Sequence, residues 1–233
     1  SLLSTHVSKM LADDREHAMA LRTFIEALAA TDQMQRAEDL LMPLAQSDVG
    51  WAGFMASTAV AAPPSEANIE RAERWLEAVG PMLEGDRRGA SYVASAWMVL
   101  DARSPDSGYA RRAVSYAQAA ASAGGDSWEL QAAKATAHEA LGEPDEAVDA
   151  YERSLEMVGG GVPPLMNNAA WLYTTSLGEH EKAIEMAREA TELAADLGVG
   201  RANRAIFHHT LGVALLSADR GAEALESFEA GLE

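Results

Sequence analysis

Few residues of this chain have the types and spacing that catalysis or metal binding demands. Gly125-Asp126-Ser127 has the outline of a nucleophile motif, but no strand-like segment precedes it and no glycine follows the serine. A nucleophile elbow needs both. Asp126 and Ser127 ahead of a helical segment that contains Trp128 are ordinary N-cap residues. Gly159-Gly160-Gly161 lacks the Lys-Ser/Thr and the preceding strand of a phosphate loop, and reads as a linker. His208-His209 sets two imidazoles side by side in sequence, yet adjacent helical residues point about 100° apart and cannot close on one ion. No other His or Asp stands three or four residues from either. His6, His17 and His180 lie among polar and charged neighbours and read as surface. The carboxylates gather in "EPDEAVDAYERSLE" and "EHEKAIEMAREATE", with Arg153, Lys182 and Arg188 at helix-pair spacings among them. That is the pattern of a solvated helix face, not of a catalytic pair. The residues therefore assign no catalytic group, no metal ligand and no cofactor, and they favour binding over catalysis.

The elements that carry these residues are helices. Helix-turn-helix segments recur at Leu130 to Met157, Asn167 to Ala194 and His209 to Glu233, with a period of about 34–40 residues. A small residue midway along each second helix fixes the phase at Ala37, Ala72, Ala113, Ala147, Ala183 and Ala224, spaced 35, 41, 34, 36 and 41 residues apart. Residues four and seven further on are mostly apolar, which keeps one stripe turned to a neighbouring helix. Twelve helices are predicted: 12–30, 33–46, 48–60, 66–79, 87–103, 107–123, 126–141, 144–157, 164–177, 180–195, 201–217 and 220–233. Gly142 and Gly178 sit where a C′ glycine ends a helix, and Pro144 suits a first turn. Breaks are expected at Pro63-Pro64, Gly80-Pro81, Gly124-Gly125, Gly159–Gly161 and Asp196 to Gly200. Pro43 falls inside a helix and must kink or shorten it. The fold class is all-α, a solenoid in which each unit buries its apolar face against its neighbours. Residues 1–85 form two degenerate helix pairs and residues 86–233 four clearer ones, continuous as one array. Such an array predicts an elongated rod, with a radius of gyration above the ~17–18 Å of a compact domain of this length.

Bulk composition narrows the partners. The net charge of −18 argues against a nucleic-acid backbone or an anionic membrane surface. The absence of cysteine excludes disulfides and thiolate metal sites but leaves the compartment open, with the cytoplasm favoured. No run of about 20 apolar residues is present, so no membrane insertion is expected. The chain starts without Met and stops inside a helical pattern, which reads as a piece of a longer protein. The apolar stripe Leu225, Phe228 and Leu232 of its last helix is expected to be covered by self-association or by further residues.

The segments "EALGEPDEAVDAYERSLEM", "NNAAWLY…LGEHEKAIEMA" and "TLGVALL…AEALESFEAGL" resemble the tetratricopeptide repeat family. Its small first-helix residue is matched by Ala135, Ala170 and Gly212, and the larger residue three later by His138, Tyr173 and Leu215. The resemblance implies a right-handed superhelix of about six repeats whose first helices line a concave groove and whose second helices form the convex back. It also implies a packed, hydrogen-bonded His138. Trp51, Trp75, Trp97 and Trp128 read as core, while Trp171 belongs either to the core or to the groove.

Charge then separates the two faces. From Asp126 to Glu233 there are 20 acidic and 7 basic residues, yet none from Met157 to Gly178 and none from Ala205 to Ala218. On the resemblance, an acidic back would carry a neutral groove made of Asn167, Asn168, Trp171, Thr174, Ile206, His209, Thr210 and Val213. Asn side chains can bond a peptide backbone, and an aromatic beside them can hold an apolar side chain. The clamp that related domains use for chaperone C-termini is not expected, because its positions fall on Ala132, Thr136, Asn168, Ile206 and Thr210, and only Asn168 fits. The reading is a non-catalytic scaffold that binds a peptide or partner protein. The alternative is the regulatory or substrate-docking module of a longer enzyme, such as a kinase or peptidase, or of a transcription regulator.

Overall fold

The computed structural model describes residues 15–31, 33–105 and 107–232; His6 lies outside them. These residues form twelve α-helices and no strand. They are α1 (Arg15–Ala30), α2 (Met34–Ala45), α3 (Val49–Thr58), α4 (Glu66–Leu83), α5 (Arg87–Arg103), α6 (Tyr109–Ala120), α7 (Trp128–Leu141), α8 (Pro144–Val158), α9 (Pro163–Leu172), α10 (His180–Asp196), α11 (Arg201–Ser217) and α12 (Gly221–Leu232). One wide π-type turn extends α6 through Ala121–Gly125, and another extends α9 through Tyr173–Leu177. By its contacts the chain divides between Ala133 and Lys134, inside α7.

The packing of both units follows the small-residue register. Ala37, Ala72, Ala113, Ala147, Ala183 and Ala224 are all 1% exposed or less. An alanine there lets two helix backbones approach closely, so larger neighbours interdigitate around it. In the first unit Trp51, Trp75 and Trp97 are buried as expected. Trp97 stacks on Tyr109 with centroids 5.7 Å apart, and the Arg112 guanidinium covers Trp97 at 5.2 Å. Arg112 also meets Glu73 at 2.8 Å and Glu77 at 2.6 Å, tying α6 to α4. Ala90, Ala94, Ala117, Ala120, Leu130 and Ala133 close a second core cluster of the same unit. Trp128 is only half-buried.

Local chemistry sets most helix ends where expected. Ser127 Oγ accepts the Leu130 N–H at 3.2 Å, so Gly125-Asp126-Ser127 is a cap. Gly142 and Gly178 both take φ of +71°, the left-handed conformation that a helix terminus asks of glycine. One expectation changes. The break at Gly80-Pro81 is absent, because α4 continues to Leu83. Pro81 falls in the last turn, where it removes a single intrahelical bond. Gly80 there offers its bare surface to the Tyr116 ring and its carbonyl to the Tyr116 hydroxyl, at 3.0 Å. Pro43 likewise sits in the last turn of α2, which ends at Ala45.

The second unit carries its own cross-helix polar links. Lys182 Nζ lies 2.7 Å from Glu152 and donates to the Tyr173 hydroxyl at 2.6 Å, while Tyr173 donates to Glu152 at 2.7 Å. Burial alone would raise the Glu152 carboxyl, but the hydrogen bonds from Lys182 and Tyr173 hold it below its ordinary value. His138 is buried, with Nδ1 2.7 Å from Glu143 Oε2, matching its expected packed role. On α12, Leu225 and Leu232 are exposed and Phe228 is half-buried.

Candidate functional site

The charge-free stretches of the sequence become the facing surfaces of α9 and α11 in the second unit. Helical geometry advances about 100° per residue, so Asn168, Trp171 and Thr175 share one face of α9. On α11, Ile206, His209, Val213 and Leu216 share another by the same rule. Trp171 is 37% exposed, Ile206 53% and Leu216 57%, large values for apolar side chains. The two helices meet through a ring stack: Trp171 lies on His209 with centroids 6.2 Å apart and planes at 28°. His209 in turn leans on Phe228 of α12 at 5.9 Å. Phe228 reaches this place because Gly212 has no side chain, since a Cβ there would stand 2.4 Å from the Phe228 ring.

The eight residues read from the sequence divide by depth. Asn168, Trp171, Ile206, His209 and Val213 reach the surface, whereas Asn167, Thr174 and Thr210 are buried beneath it. Thr174 Oγ1 donates to its own helix at Ala170 O, 2.9 Å away. Asn167 Oδ1 is buried without a hydrogen-bond partner among the described residues. Leu216 and Phe228 complete the strip; neither was among the eight groove residues, and Phe228 had been read only as part of the apolar stripe of the last helix. A spacing of ten residues from Ile206 and seven from His209 was a usable signal for Leu216, but nothing local placed Phe228 beside the groove. His180, read as surface, is half-buried, and its Nδ1 has no hydrogen-bond partner among the described residues. Burial, together with the nearby Arg204 charge, holds His208 below its ordinary pKa.

Asn168 is fixed from behind by α8. Its Nδ2 donates to the Tyr151 hydroxyl at 3.2 Å, and that hydroxyl donates to Glu139 Oε2 at 3.1 Å, with Thr136 Oγ1 3.4 Å away. Burial pushes the Tyr151 hydroxyl from 10.0 up to about 12, the Thr136 contact opposing and the Glu139 charge adding. The neutral phenol is thus favoured in the folded chain. Its stabilising effect is whole below pH 10 and is lost as pH rises toward about 12. Tyr151→Phe is expected to lose about 1–2 kcal/mol at neutral pH, as a buried hydrogen-bonded hydroxyl does. It should also flatten part of the alkaline decline. Urea midpoints of both proteins at neutral pH and across pH 10 to 12 measure this; an unchanged neutral midpoint would remove the network from the account.

No helix among the described residues is long and apolar enough to cross a membrane. Nor do three or more His, Cys, Asp or Glu side chains gather there in a way that could hold a metal.

Residues 129–157 and 163–197 match the tetratricopeptide repeat family. Two helix pairs of the second half, α7 with α8 and α9 with α10, therefore carry the pattern of that repeat. Solved structures share the arrangement more widely. The crystal structure of the MamA protein is 17% identical with a TM-score of 0.59, spanning 78% of this chain and 91% of that one. YrrB, described as a TPR protein with an unusual peptide-binding site, is 15% identical with a TM-score of 0.59, over 87% and 90%. A putative kinesin light chain of Podosopora anserina with nearly identical TPR-like repeats is 18% identical with a TM-score of 0.60, over 80% and 93%. At these identities the likeness is one of fold. No curated protein matches the sequence. Tetratricopeptide repeats are protein-interaction scaffolds, generally without catalysis of their own. Of the two helices that carry the strip, α9 opens the second matched segment and α11 follows just beyond it.

Proposed function

We propose that this chain is an interaction scaffold whose second unit binds an uncharged, extended stretch of a partner protein along the α9/α11 strip. The observation that carries the reading is an exposed apolar surface without a single charged residue, set in a half of the chain that holds 20 acidic and 7 basic residues. Exposed apolar side chains grouped on one face mark contact sites more often than scattered ones do. Trp171, braced by His209, is the anchor: a large flat surface already ordered before a ligand arrives loses little freedom on binding. Asn168, held by Tyr151, presents its remaining polar capacity to a peptide backbone.

Affinity on such a strip comes from apolar burial and backbone hydrogen bonds, so it should vary little with salt, which screens charges. Trp171→Ala is expected to weaken partner binding by about 2 kcal/mol, near thirtyfold, while circular dichroism keeps its helical signal. Glu185→Lys, an exposed charge reversal on α10, should leave affinity nearly unchanged. Partners captured from the source organism and titrated by calorimetry at two salt concentrations provide the measurement. Binding that salt abolishes and Trp171→Ala spares would move the site to the acidic face.

A further inference from the structure

The first unit holds a cavity of about 530 Å³ walled by three helices, and its character is opposite to that of the α9/α11 strip. Arg22 of α1 and Arg88 of α5 stand on its walls, while Gly50, Gly53 and Ser57 of α3 form a side that is nearly bare of side chains, and Tyr92 borders it. The Arg22 guanidinium is held in place by two rings, with its centre 5.2 Å from both Trp51 and Phe54. Asp86 is the carboxylate of the lining, and its Oδ1 is already engaged in capping α5 through the Gly89 N–H at 2.6 Å. Among the described residues neither Arg22 nor Arg88 forms an ion pair with a carboxylate.

Glycine inside a helix is destabilising relative to alanine, and no neighbour demands it at Gly53, where an added Cβ would meet nothing within 4 Å. What Gly53 supplies is room for another chain to lie against the helix. The cations supply the sign of that chain.

We propose that this cavity is a second binding site, one that takes an acidic segment of a partner protein, with carboxylate side chains on Arg22 and Arg88 and its main chain against Gly50 and Gly53. The net charge of −18 does not prevent this. At physiological ionic strength charges beyond about 8 Å are largely screened, so the two nearby guanidiniums dominate the local field. A nucleic acid is disfavoured, because its phosphates outnumber the two cations and residues 1–125 hold 16 acidic against 11 basic side chains. The site is independent of the α9/α11 strip.

The test uses the full chain and a fluorescein-labelled, C-terminally amidated octapeptide of alternating Glu and Ala, followed by fluorescence anisotropy. A matching Gln-Ala octapeptide and an oligothymidine serve as the other arms. The Glu peptide should bind, with affinity that falls as salt rises, and the Gln peptide should bind about tenfold more weakly or less, the scale of one charge-assisted pair. Arg88→Gln, an exposed change in the first turn of α5, should cut Glu-peptide affinity about tenfold. Gly53→Met, which fills the cavity and leaves both cations in place, should cut it comparably. Trp171→Ala should leave it unchanged. The proposal is overturned if the Glu peptide does not bind, if both peptides bind alike, or if Arg88→Gln and Gly53→Met bind normally. Tighter binding of oligothymidine would overturn it too, as would loss of Glu-peptide binding in Trp171→Ala.

Discussion

Gly125→Ala is expected to destabilise the first unit by about 3 kcal/mol or more, a large loss for one added methyl group. The reason is a single contact. A Cβ at Gly125 would stand 2.0 Å from the Glu84 carbonyl oxygen and 3.1 Å from its carbon, with Ala120 O at 3.2 Å. Those are main-chain atoms at the end of α4 and within α6, so no side-chain rotation relieves the overlap and two helix ends must move apart. Conformational strain does not enter, because the Gly125 φ is one that alanine adopts freely. Its neighbour provides the contrast: Gly124 sits at φ +96° with open space around it. Gly124→Ala suffers backbone strain alone, about 1–2 kcal/mol. Thermal and urea unfolding of the two variants, followed by circular dichroism, should therefore rank Gly125→Ala well below Gly124→Ala. The opposite order would mean that the α4 and α6 termini do not touch at Gly125.

That contact illustrates what the sequence conveys and what it withholds. The helical register was legible throughout the described residues, including the first four helices, which lie outside the segments that match the family. Ala37 and Ala72 pack as deeply as Ala147 and Ala183. A helix crossing imposes the same demand for a small residue at a fixed phase in every repeat, whatever surrounds it. Pro81 was misread because a proline announces a break only when its neighbours are considered alone. The ring that makes use of Gly80 belongs to Tyr116, on α6.

The candidate site was legible to about one residue of helical phase. Periodicity places Asn167 and Asn168 on the same side of α9, but a step of about 100° is the difference between a buried amide and one that reaches the surface. Which of the two reaches it depends on how closely neighbouring helices approach, and composition does not carry that distance. Phe228 joins the strip only because Gly212 yields space to it. The cavity between Arg22 and Arg88 was invisible in sequence for a related reason. Its cations belong to different helices, and each looks alone like an ordinary exposed charge.

The deepest aromatic of the first unit yields the second large expectation. Trp75 of α4 is 0% exposed, so Trp75→Ala should cost about 3–5 kcal/mol through lost burial and the cavity left behind. Trp75→Phe should behave differently. The indole Nε1 is buried without a hydrogen-bond partner among the described residues, and such an orphaned donor costs about 1–3 kcal/mol in the folded state. Phenylalanine removes that penalty along with part of the ring, and the two changes oppose each other. The expected net loss is about 1 kcal/mol, within the range of near-isosteric core exchanges. Urea midpoints for the wild type, Trp75→Phe and Trp75→Ala separate the terms directly. If Trp75→Phe falls as far as Trp75→Ala, the indole N–H is satisfied in solution, by a trapped water or by a shifted carbonyl. A near-native Trp75→Phe would show that shape and apolar burial alone hold α4 in its place, beneath the pairs that Glu73 and Glu77 make with Arg112.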